Sequence, residues 1–395
     1  MTILLSLEEP PPATARSFAL WQLGFRPFYL LASAFAALSI ALWALQATGV
    51  LGVAWLRGPL WHAHEMIFGF TLAVVVGFLF TAGRNWTGLP TPTGRWLAAL
   101  AALWLAARVL VLTPFVAASA VANTAFPLAA AIALAIPFVR SGNRRNYFFV
   151  VLLVVLAAAT LAVHLQQLGV IDFSPHRALQ VALDVMLFIL CVMGGRVIPM
   201  FTNNGVPGAQ ARRVAWLENV ALLAVLALAL ADALQLHASV LAFAAIAAAA
   251  HLARWLLWQP WRTWRVPLVW VLHLGYAWIP VHLALRTGVA LGAWPASAAV
   301  HALTVGAIGG VVIGMLTRTA RGHTGRPLRA DGWEQACYLL VALAALVRVL
   351  VPVLVPSWTS IAILVAGAAW SAGFALYGIR YWHVLTRARV DGRAD

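Results

Sequence analysis

Histidines are the side chains in this sequence most able to do chemistry, because many of them fall within long apolar runs. Neutral imidazole is the commonest metal ligand among side chains and a frequent axial ligand of haem iron. An ionisable residue inside a membrane helix is costly to bury and generally faces the bundle interior, where it marks a candidate functional site. The histidines in or beside such runs are His62, His64, His164, His176, His251, His273, His282 and His301.

His64 and His301 differ from the others because they occupy equivalent places in an internal repeat. Residues 64–90 read HEMIFGFTLAVVVGFLFTAGRNWTGLP, and residues 301–327 read HALTVGAIGGVVIGMLTRTARGHTGRP. The two segments align without gaps, with ten of 27 positions identical, including the histidine, an arginine and a TG-x-P end. Two equivalent helices that face a shared interior would present two imidazoles to one ligand. We therefore expect His64 and His301 to bind a haem or a metal together.

The residues beside His64 extend this candidate site. His62 lies two positions earlier, so on a regular helix it points about 200° away from His64. A metal shared by His62, His64 and His301 therefore requires His62 to lie in the turn before the helix. Glu65 is a candidate partner for an imidazole N–H. Two other histidines are expected only to hydrogen-bond neighbouring helices or to cap a helix end: His176 and His282.

Charged residues within the apolar runs are a second group of candidates. Asp184 lies deep in one predicted helix, where it could be a proton relay, a partner for an arginine or histidine, or a neutral hydrogen-bonded acid. Arg196 lies near the end of the same helix, and Arg84 and Arg321 lie at the ends of the two repeat helices. These arginines could be topology signals, or they could anchor carboxylates or phosphates.

The composition shows what kind of element positions these residues. The chain has 395 residues, of which 63% are hydrophobic and 9% charged, whereas a soluble domain carries about 25% charged residues. Apolar runs of 18 residues or more, each long enough to cross about 30 Å of hydrocarbon, recur along nearly the whole chain. We therefore predict an all-α membrane protein with about twelve transmembrane helices in contact with the lipid bilayer. The predicted helices are Phe28–Ala47, His62–Thr81, Arg95–Leu112, Ser119–Val139, Tyr147–Leu168, His176–Met200, Arg213–Leu234, Ala238–Trp258, Val266–Arg286, Pro295–Thr317, Trp333–Leu354 and Trp358–Tyr381.

The distribution of arginine predicts the orientation. The net charge is +15, but the basic residues lie in short loops between apolar runs, so we expect no nucleic-acid partner. With the N-terminus in the cytoplasm, 21 arginines fall on the cytoplasmic side and five on the other, in agreement with the positive-inside rule. We predict a cytoplasmic tail over residues 1–23, one membrane domain over 24–381 and a second cytoplasmic tail over 382–395. The five arginines on the opposite side are Arg57, Arg108, Arg177, Arg286 and Arg348.

The sixth predicted helix offers a weaker third copy of the repeat. Gly195 lies 118 residues after Gly77 and 119 before Gly314, and the helix also ends in a polar loop with glycine and proline. The spacing suggests three groups of four helices.

Six separated motifs along the chain resemble those of one family. They are GFRPFYLLA (24–32), WHAHEMIFGF (61–70), GFLFTAGRNWTG (77–88), GGRVIPMFT (194–202), LHLGYAW (272–278) and HALTVGAIGG with MLTRTARGHTGRPL (301–328). Together they resemble the NnrS family. The resemblance implies a bacterial inner-membrane protein that holds haem, of the b type, and copper, with nitric oxide as its small-molecule ligand and a link to denitrification and nitrosative stress. It does not define an electron donor.

The resemblance also orders the candidate residues. Its motif histidines match His62, His64, His273, His301 and His323, and His164 lies in a less distinctive stretch. The expected cofactor ligands are His64, His301, His273 and His164. The expected metal ligands are His62, His64 and His301. The expected residues of the surrounding shell or of a proton path are Glu65, Asp184, Arg196, Arg84, Arg321 and His323.

A wider similarity connects the predicted plan to the catalytic subunit of haem–copper oxidases and nitric oxide reductases. Those proteins also have three groups of four helices, with imidazoles on the second and tenth. This chain departs from them because its seventh predicted helix, Arg213–Leu234, has no histidine and its tenth has one where two are expected. Three functions stay open: a haem protein that handles nitric oxide or protects against it, a secondary transporter with internal repeats, and a nitric oxide reductase or related oxidoreductase.

Overall fold

Twelve long helices make up most of the residues that the structure describes. The structure is a computed structural model that describes residues 18–51 and 58–392. Over these ranges it contains helices and no strand, apart from one isolated bridge between Phe18 and Arg387. In chain order, α1 to α12 are Phe25–Ala47, Gly58–Thr87, Gly94–Leu110, Val116–Arg140, Tyr147–Gln167, Pro175–Gly205, Ala215–Ala233, His237–Leu257, Pro267–Ala290, Ala296–His323, Gly332–Leu354 and Thr359–Thr386.

Eleven of these twelve helices are long and apolar enough to cross a membrane. The other is α3, which has 17 residues and at 1.5 Å per residue extends about 26 Å. The predicted class, an all-α multi-pass membrane protein, is confirmed. Most of the predicted tail over residues 1–23, together with Arg57 and residues 393–395, lies outside the described residues.

Several helices are longer than the apolar pattern predicts. α2 continues to Thr87, α6 to Gly205 and α12 to Thr386, each several residues beyond its predicted end. The physical reason is that apolar residues mark the length inside hydrocarbon, whereas a helix can continue through the headgroup region with polar side chains. The motif arginine at the end of α2, Arg84, is therefore helical.

The helices form a closed ring in sequence order. Each helix packs against the next along the chain, and α12 packs against α1. α2 is the most interior helix, with 83% of its most apolar window buried inside the protein, whereas α8 has 28% buried and lies at the periphery. α6, α9 and α10 are also largely buried. The chemistry-bearing histidines of α2 and α10 therefore belong to interior helices.

The two repeat helices share an unusual backbone. α2 contains a π-helical segment at Glu65–Thr71, and α10 contains one at Ala302–Ile308. Both segments are seven residues long and they are related by the offset that aligns the repeat sequences. Gly88 and Gly325, which are also equivalent, both have positive φ angles, +68° and +73°. Because π-helical segments are rare, this agreement supports a true structural repeat.

The proposed third copy lacks this signature. α6 is α-helical throughout Pro175–Gly205, and it ends at Val206 in an extended conformation. The structure therefore supports the two-copy repeat at the level of backbone detail, and α6 resembles the other two only in its interior position and its polar end.

Candidate functional site

A cavity of about 580 Å³ opens between α1, α2, α6 and α10 to α12. Its walls are mainly apolar, with Trp43 on α1 and Trp370 on α12 among them. Four basic side chains line it: His62, His176, His301 and Arg348. Ligand sites are typically apolar clefts of 300–1,000 Å³ with a few converging polar groups, so this cavity is the main candidate site.

His62 and His301 face each other across the cavity. Their ring centroids are 6.5 Å apart and the ring planes differ by 12°. His62 also stacks on Trp43, at 5.0 Å and 5°, which fixes the plane of its ring. The Nδ1 atom of His62 is buried and has no hydrogen-bond partner.

His301 is held in one tautomer by the backbone. Its Nδ1 lies 2.7 Å from the carbonyl oxygen of Ser297, one turn earlier in α10. A carbonyl oxygen only accepts, so Nδ1 carries the proton and Nε2 keeps a free lone pair. A metal-ligating histidine typically has this arrangement, with its second ring nitrogen donating to a carbonyl or carboxylate.

Arg348 brings a positive charge to the same cavity. Its Nη2 lies 3.5 Å from the Ser297 hydroxyl oxygen. Within residues 18–51 and 58–392, no carboxylate lies within ion-pair distance of this guanidinium. The cavity can therefore offer a cation to an acidic group of a ligand.

A second cluster lies on the opposite side of α2 and is centred on His64. Nδ1 of His64 lies 2.8 Å from Glu65 Oε1, and Nε2 lies 3.0 Å from the Thr160 hydroxyl of α5. Glu65 Oε1 also pairs with Arg108 Nη1 of α3 at 2.6 Å. Arg108 in turn donates to the Asn123 side chain of α4. The network joins four helices, and it occupies both nitrogens of His64.

His164 lies beside this network without joining it. Its ring centroid is 5.1 Å from that of His64, and the residue is 3% exposed. Neither of its ring nitrogens has a hydrogen-bond partner. Both histidines line a small cavity of about 30 Å³, which has room for a water molecule or one small ligand.

The expected pairing of His64 with His301 is not what the structure shows. His301 faces His62, and His64 faces His164, so equivalent repeat positions belong to different compartments. The reason is that His62 and His64 point to opposite sides of α2. This interior helix separates the large cavity from the network of His64, Glu65, Arg108, Asn123 and Thr160, called here the α2–α5 cluster. The expected three-ligand metal set of His62, His64 and His301 is therefore not assembled. The described part of the chain holds no group of three or more His, Cys, Asp or Glu side chains that could bind a metal ion.

Two other motif histidines lie away from both cavities. His273 on α9 is 2% exposed, and its Nε2 lies 2.8 Å from the Thr202 hydroxyl of α6. His323, at the end of α10, packs its ring against Phe25, with centroids 5.6 Å apart. These histidines join helices, and the structure does not bring them to the other imidazoles.

His282 and His176 are the two histidines expected only to hydrogen-bond a neighbouring helix or to cap a helix end. His282 Nδ1 donates to the Ala299 carbonyl oxygen at 2.7 Å, the helix-joining role expected of it. His176, for which the same role was expected, instead lines the large cavity.

The candidate arginines mostly join helices near the C-terminal ends of α2, α6 and α10. Arg196 donates to Asn146 Oδ1 at 2.8 Å, and its guanidinium lies 5.9 Å from the centroid of the Trp86 ring. Arg321 pairs with Glu334 of α11 at 2.7 Å. Arg84 is half-buried in the last turn of α2. The anchoring role is observed for Arg321, although the carboxylate that it binds, that of Glu334, belongs to the protein itself.

Asp184 does have an arginine partner. Its Oδ1 lies 3.5 Å from Arg286 Nη1 of α9, and Arg286 Nη2 lies 2.6 Å from Asp232 Oδ1 of α7. Gln180 donates to Asp184 Oδ1 at 3.0 Å and also lines the large cavity. This group extends the polar surroundings of the cavity toward α7 and α9.

The sequence interpretation missed four residues of these sites: Arg108, Asp232, Arg286 and Arg348. A signal for the three arginines was present. Each lies on the side that the positive-inside rule leaves poor in arginine, so topology does not account for it. In the structure, Arg108 pairs with Glu65, Arg286 pairs with Asp184 and Asp232, and Arg348 lines the large cavity.

Comparison with known proteins adds one finding. A family model described as NnrS protein matches residues 19–389 of the chain. No curated protein matches it.

Proposed function

The chain belongs to the NnrS family, and we propose that it binds haem in the cavity between His62 and His301 and takes nitric oxide as a ligand there. Membership in this family supports a membrane protein related to nitric oxide stress. The observation that carries the haem proposal is an imidazole, His301, whose Nδ1 is fixed by a carbonyl and whose Nε2 is free beside a cavity of about 580 Å³.

The residues around the cavity fit the chemistry of haem. A porphyrin needs flat apolar walls, an axial donor for iron and a cation for its propionates. The walls include Trp43 and Trp370, His301 supplies the donor, and Arg348 supplies a cation not paired with a carboxylate in the described ranges. The sequence has no CxxCH motif for covalent attachment, which favours haem of the b type.

His301 and His62 have different roles in this proposal. His301 would hold the haem iron through Nε2, because the Ser297 carbonyl oxygen holds its ring and tautomer. His62, stacked on Trp43, lies across the cavity, where it would either supply a second imidazole to the iron or hydrogen-bond a diatomic ligand. When bound, haem iron supplies the position at which nitric oxide coordinates. The apolar walls exclude water from that position.

Copper fits the described residues less well. His64 and His164 offer the imidazole donors that copper accepts, and both nitrogens of His164 are without partners. However, Glu65 is already paired with Arg108, and no third suitable donor completes a group in the described part of the chain. We assign no copper ligands and derive no chemistry from copper.

We propose a location in the cytoplasmic membrane of a bacterium, on the basis of the family; the arginine asymmetry supports an orientation with both termini in the cytoplasm. Fusion of a reporter that is active only in the cytoplasm to the C-terminus tests this orientation. A signal from that fusion is expected, and a signal only from a periplasm-specific reporter contradicts it.

An absorption spectrum of the detergent-purified protein tests the haem proposal. Expression with ample haem should give a Soret band, and nitric oxide should shift that band. His301→Ala should lose the band, whereas His282→Ala should retain it. His282 is a matched control because its Nδ1 also donates to a backbone carbonyl at 2.7 Å but lies outside the cavity.

Three results would count against the proposal. A colourless protein argues against haem, and a His301→Ala spectrum identical to that of the wild type argues against the ligand assignment. Solute uptake by proteoliposomes of the colourless protein favours the transporter hypothesis. Consumption of nitric oxide by the haem-loaded protein with a reductant indicates a reductase.

A further inference from the structure

Asp184 and Asp232 differ from the other carboxylates inside the protein because their two carboxyl groups share one arginine. The other buried carboxylates in the described ranges each have at least one guanidinium: Glu65 has Arg108, Glu218 has Arg254 and Glu334 has Arg321. Asp184 and Asp232 share Arg286 between them. If both were ionised, the group would carry one uncompensated negative charge, with Asp184 buried and the Asp232 side chain only 9% exposed, which is unfavourable.

The oxygen atoms divide into two sets. Both Oδ1 atoms face donors, since Arg286 bonds to each of them and Gln180 Nε2 donates to that of Asp184 at 3.0 Å. Both Oδ2 atoms are buried and have no donor. An ionised carboxylate oxygen that has no donor is costly to bury, whereas a protonated carboxyl group carries no charge.

Within the described residues, Arg286 is the only guanidinium within ion-pair distance of these two carboxyl groups. On α6, Arg177 donates to the Ala233 carbonyl oxygen at 2.6 Å and makes no ion pair with either aspartate. On α9, His282 donates to a carbonyl of α10. On α7, the partner is Asp232 itself. The groups on these three helices thus leave one negative charge to be balanced by a proton.

Gln180 connects the acid pair to the large cavity. Its amide nitrogen bonds Asp184, and the same side chain forms part of the cavity wall. Leu183, the residue before Asp184, also lines the cavity. The acid pair is therefore one side chain away from the space where a ligand would bind.

We propose that Asp184 and Asp232, which share Arg286, together hold one proton, and that this proton exchanges with the large cavity past Gln180. The proton keeps the group with Arg286 neutral. It is also available to compensate a change of charge in the cavity. The proton-holding role does not depend on haem, whereas its use by a bound ligand rests on the proposed function.

Infrared spectroscopy of the haem-free protein in membranes tests the shared proton. A protonated carboxylic acid gives a C=O stretching band that shifts in D₂O, and we expect one at neutral pH. Either Asp184→Asn or Asp232→Asn should remove it, because the remaining aspartate then forms a simple one-to-one pair with Arg286. Asp172→Asn, in an exposed position of the loop before α6, is the control and should leave the band unchanged.

Two results would overturn the shared proton. One is a band that survives both single substitutions, and the other is the absence of a band in the wild type. In Gln180→Leu the band should persist, but its hydrogen–deuterium exchange should slow several-fold. An unchanged exchange rate would overturn the route past Gln180. Because the measurement uses no haem, its failure is separate from the absence of a Soret band.

Discussion

The two imidazole pairs on either side of α2 differ in what surrounds their nitrogens. In the α2–α5 cluster, His64 is fully hydrogen-bonded by Glu65 and Thr160, and the cavity beside it is about 30 Å³. In the large cavity, His301 keeps a free Nε2 beside about 580 Å³ of space. The same residue type, at equivalent repeat positions, therefore holds helices together in one place and is available to a ligand in the other.

The comparison shows that a repeat conserves position on a helix without conserving the role of the side chain. His64 of α2 faces Thr160 of α5, whereas His301 of α10 faces the large cavity, so the equivalent positions have different surroundings. The neighbours on α3 and α5 account for this difference. Thr160 bonds Nε2 of His64, and Arg108 pairs with Glu65, which bonds Nδ1. The following predictions test this difference, in order of decreasing effect.

The largest effect is expected from Arg108→Ala. The substitution leaves Glu65 buried beside His64 without its guanidinium, and breaking a buried ion pair in this way typically costs about 3–5 kcal/mol. Thermal unfolding in detergent should show a markedly lower midpoint. Arg177→Ala, which loses bonds to a backbone carbonyl only, should lower it much less. Equal midpoints for Arg108→Ala and the wild type would mean that the cluster does not hold the helices together.

His64→Ala separates the two sites most directly. It removes a partner from both Glu65 and Thr160, so we expect a loss of about 1–3 kcal/mol of stability. The haem spectrum should be retained, in contrast to His301→Ala. Loss of the Soret band in a folded His64→Ala protein would instead restore the pairing of His64 with His301 suggested by the repeat.

Thr160→Val examines one bond within the cluster. The hydroxyl reaches Nε2 of His64 from α5, and loss of a typical hydrogen bond costs about 0.5–1.5 kcal/mol. The unfolding midpoint should fall slightly and the haem spectrum should not change. A spectral change would show that Nε2 of His64 takes part in cofactor binding.

An effect similar in size to that of Thr160→Val is expected at Asp331, which lies outside both sites and caps α11 through the backbone N–H groups of Trp333 and Glu334. Its interaction with the Glu334 side chain, aided by these bonds, lowers its pKa to about 2. Asp331→Ala should cost about 1 kcal/mol and leave spectra unchanged. Because the pKa is lowered in the folded state, the contribution is present above about pH 4 and is lost as the pH falls toward 2. The midpoint difference between the variant and the wild type should therefore shrink in acid.

The sequence predicts the twelve helices well because the thickness of hydrocarbon requires long apolar segments. It also selects histidines within apolar segments, and the structure places four of them, His62, His64, His164 and His301, beside a cavity. It does not predict which imidazoles meet, because that depends on the rotation of α2 between two compartments. Nor does it predict that Asp184 and Asp232 share Arg286, because that depends on which faces of α6, α7 and α9 pack together.

The π-helical segments have a consequence for how these helices tolerate deletions. A π-helical turn accommodates an additional residue compared with an α-helical turn. Deletion of one residue within Glu65–Thr71 could therefore be absorbed if that turn reverted to α-helix, keeping Gly77 and the rest of α2 in their rotational setting. The same deletion elsewhere in α2 would rotate everything beyond it by about 100°. Each repeat helix thus contains one place where its length can change without its two ends losing their alignment.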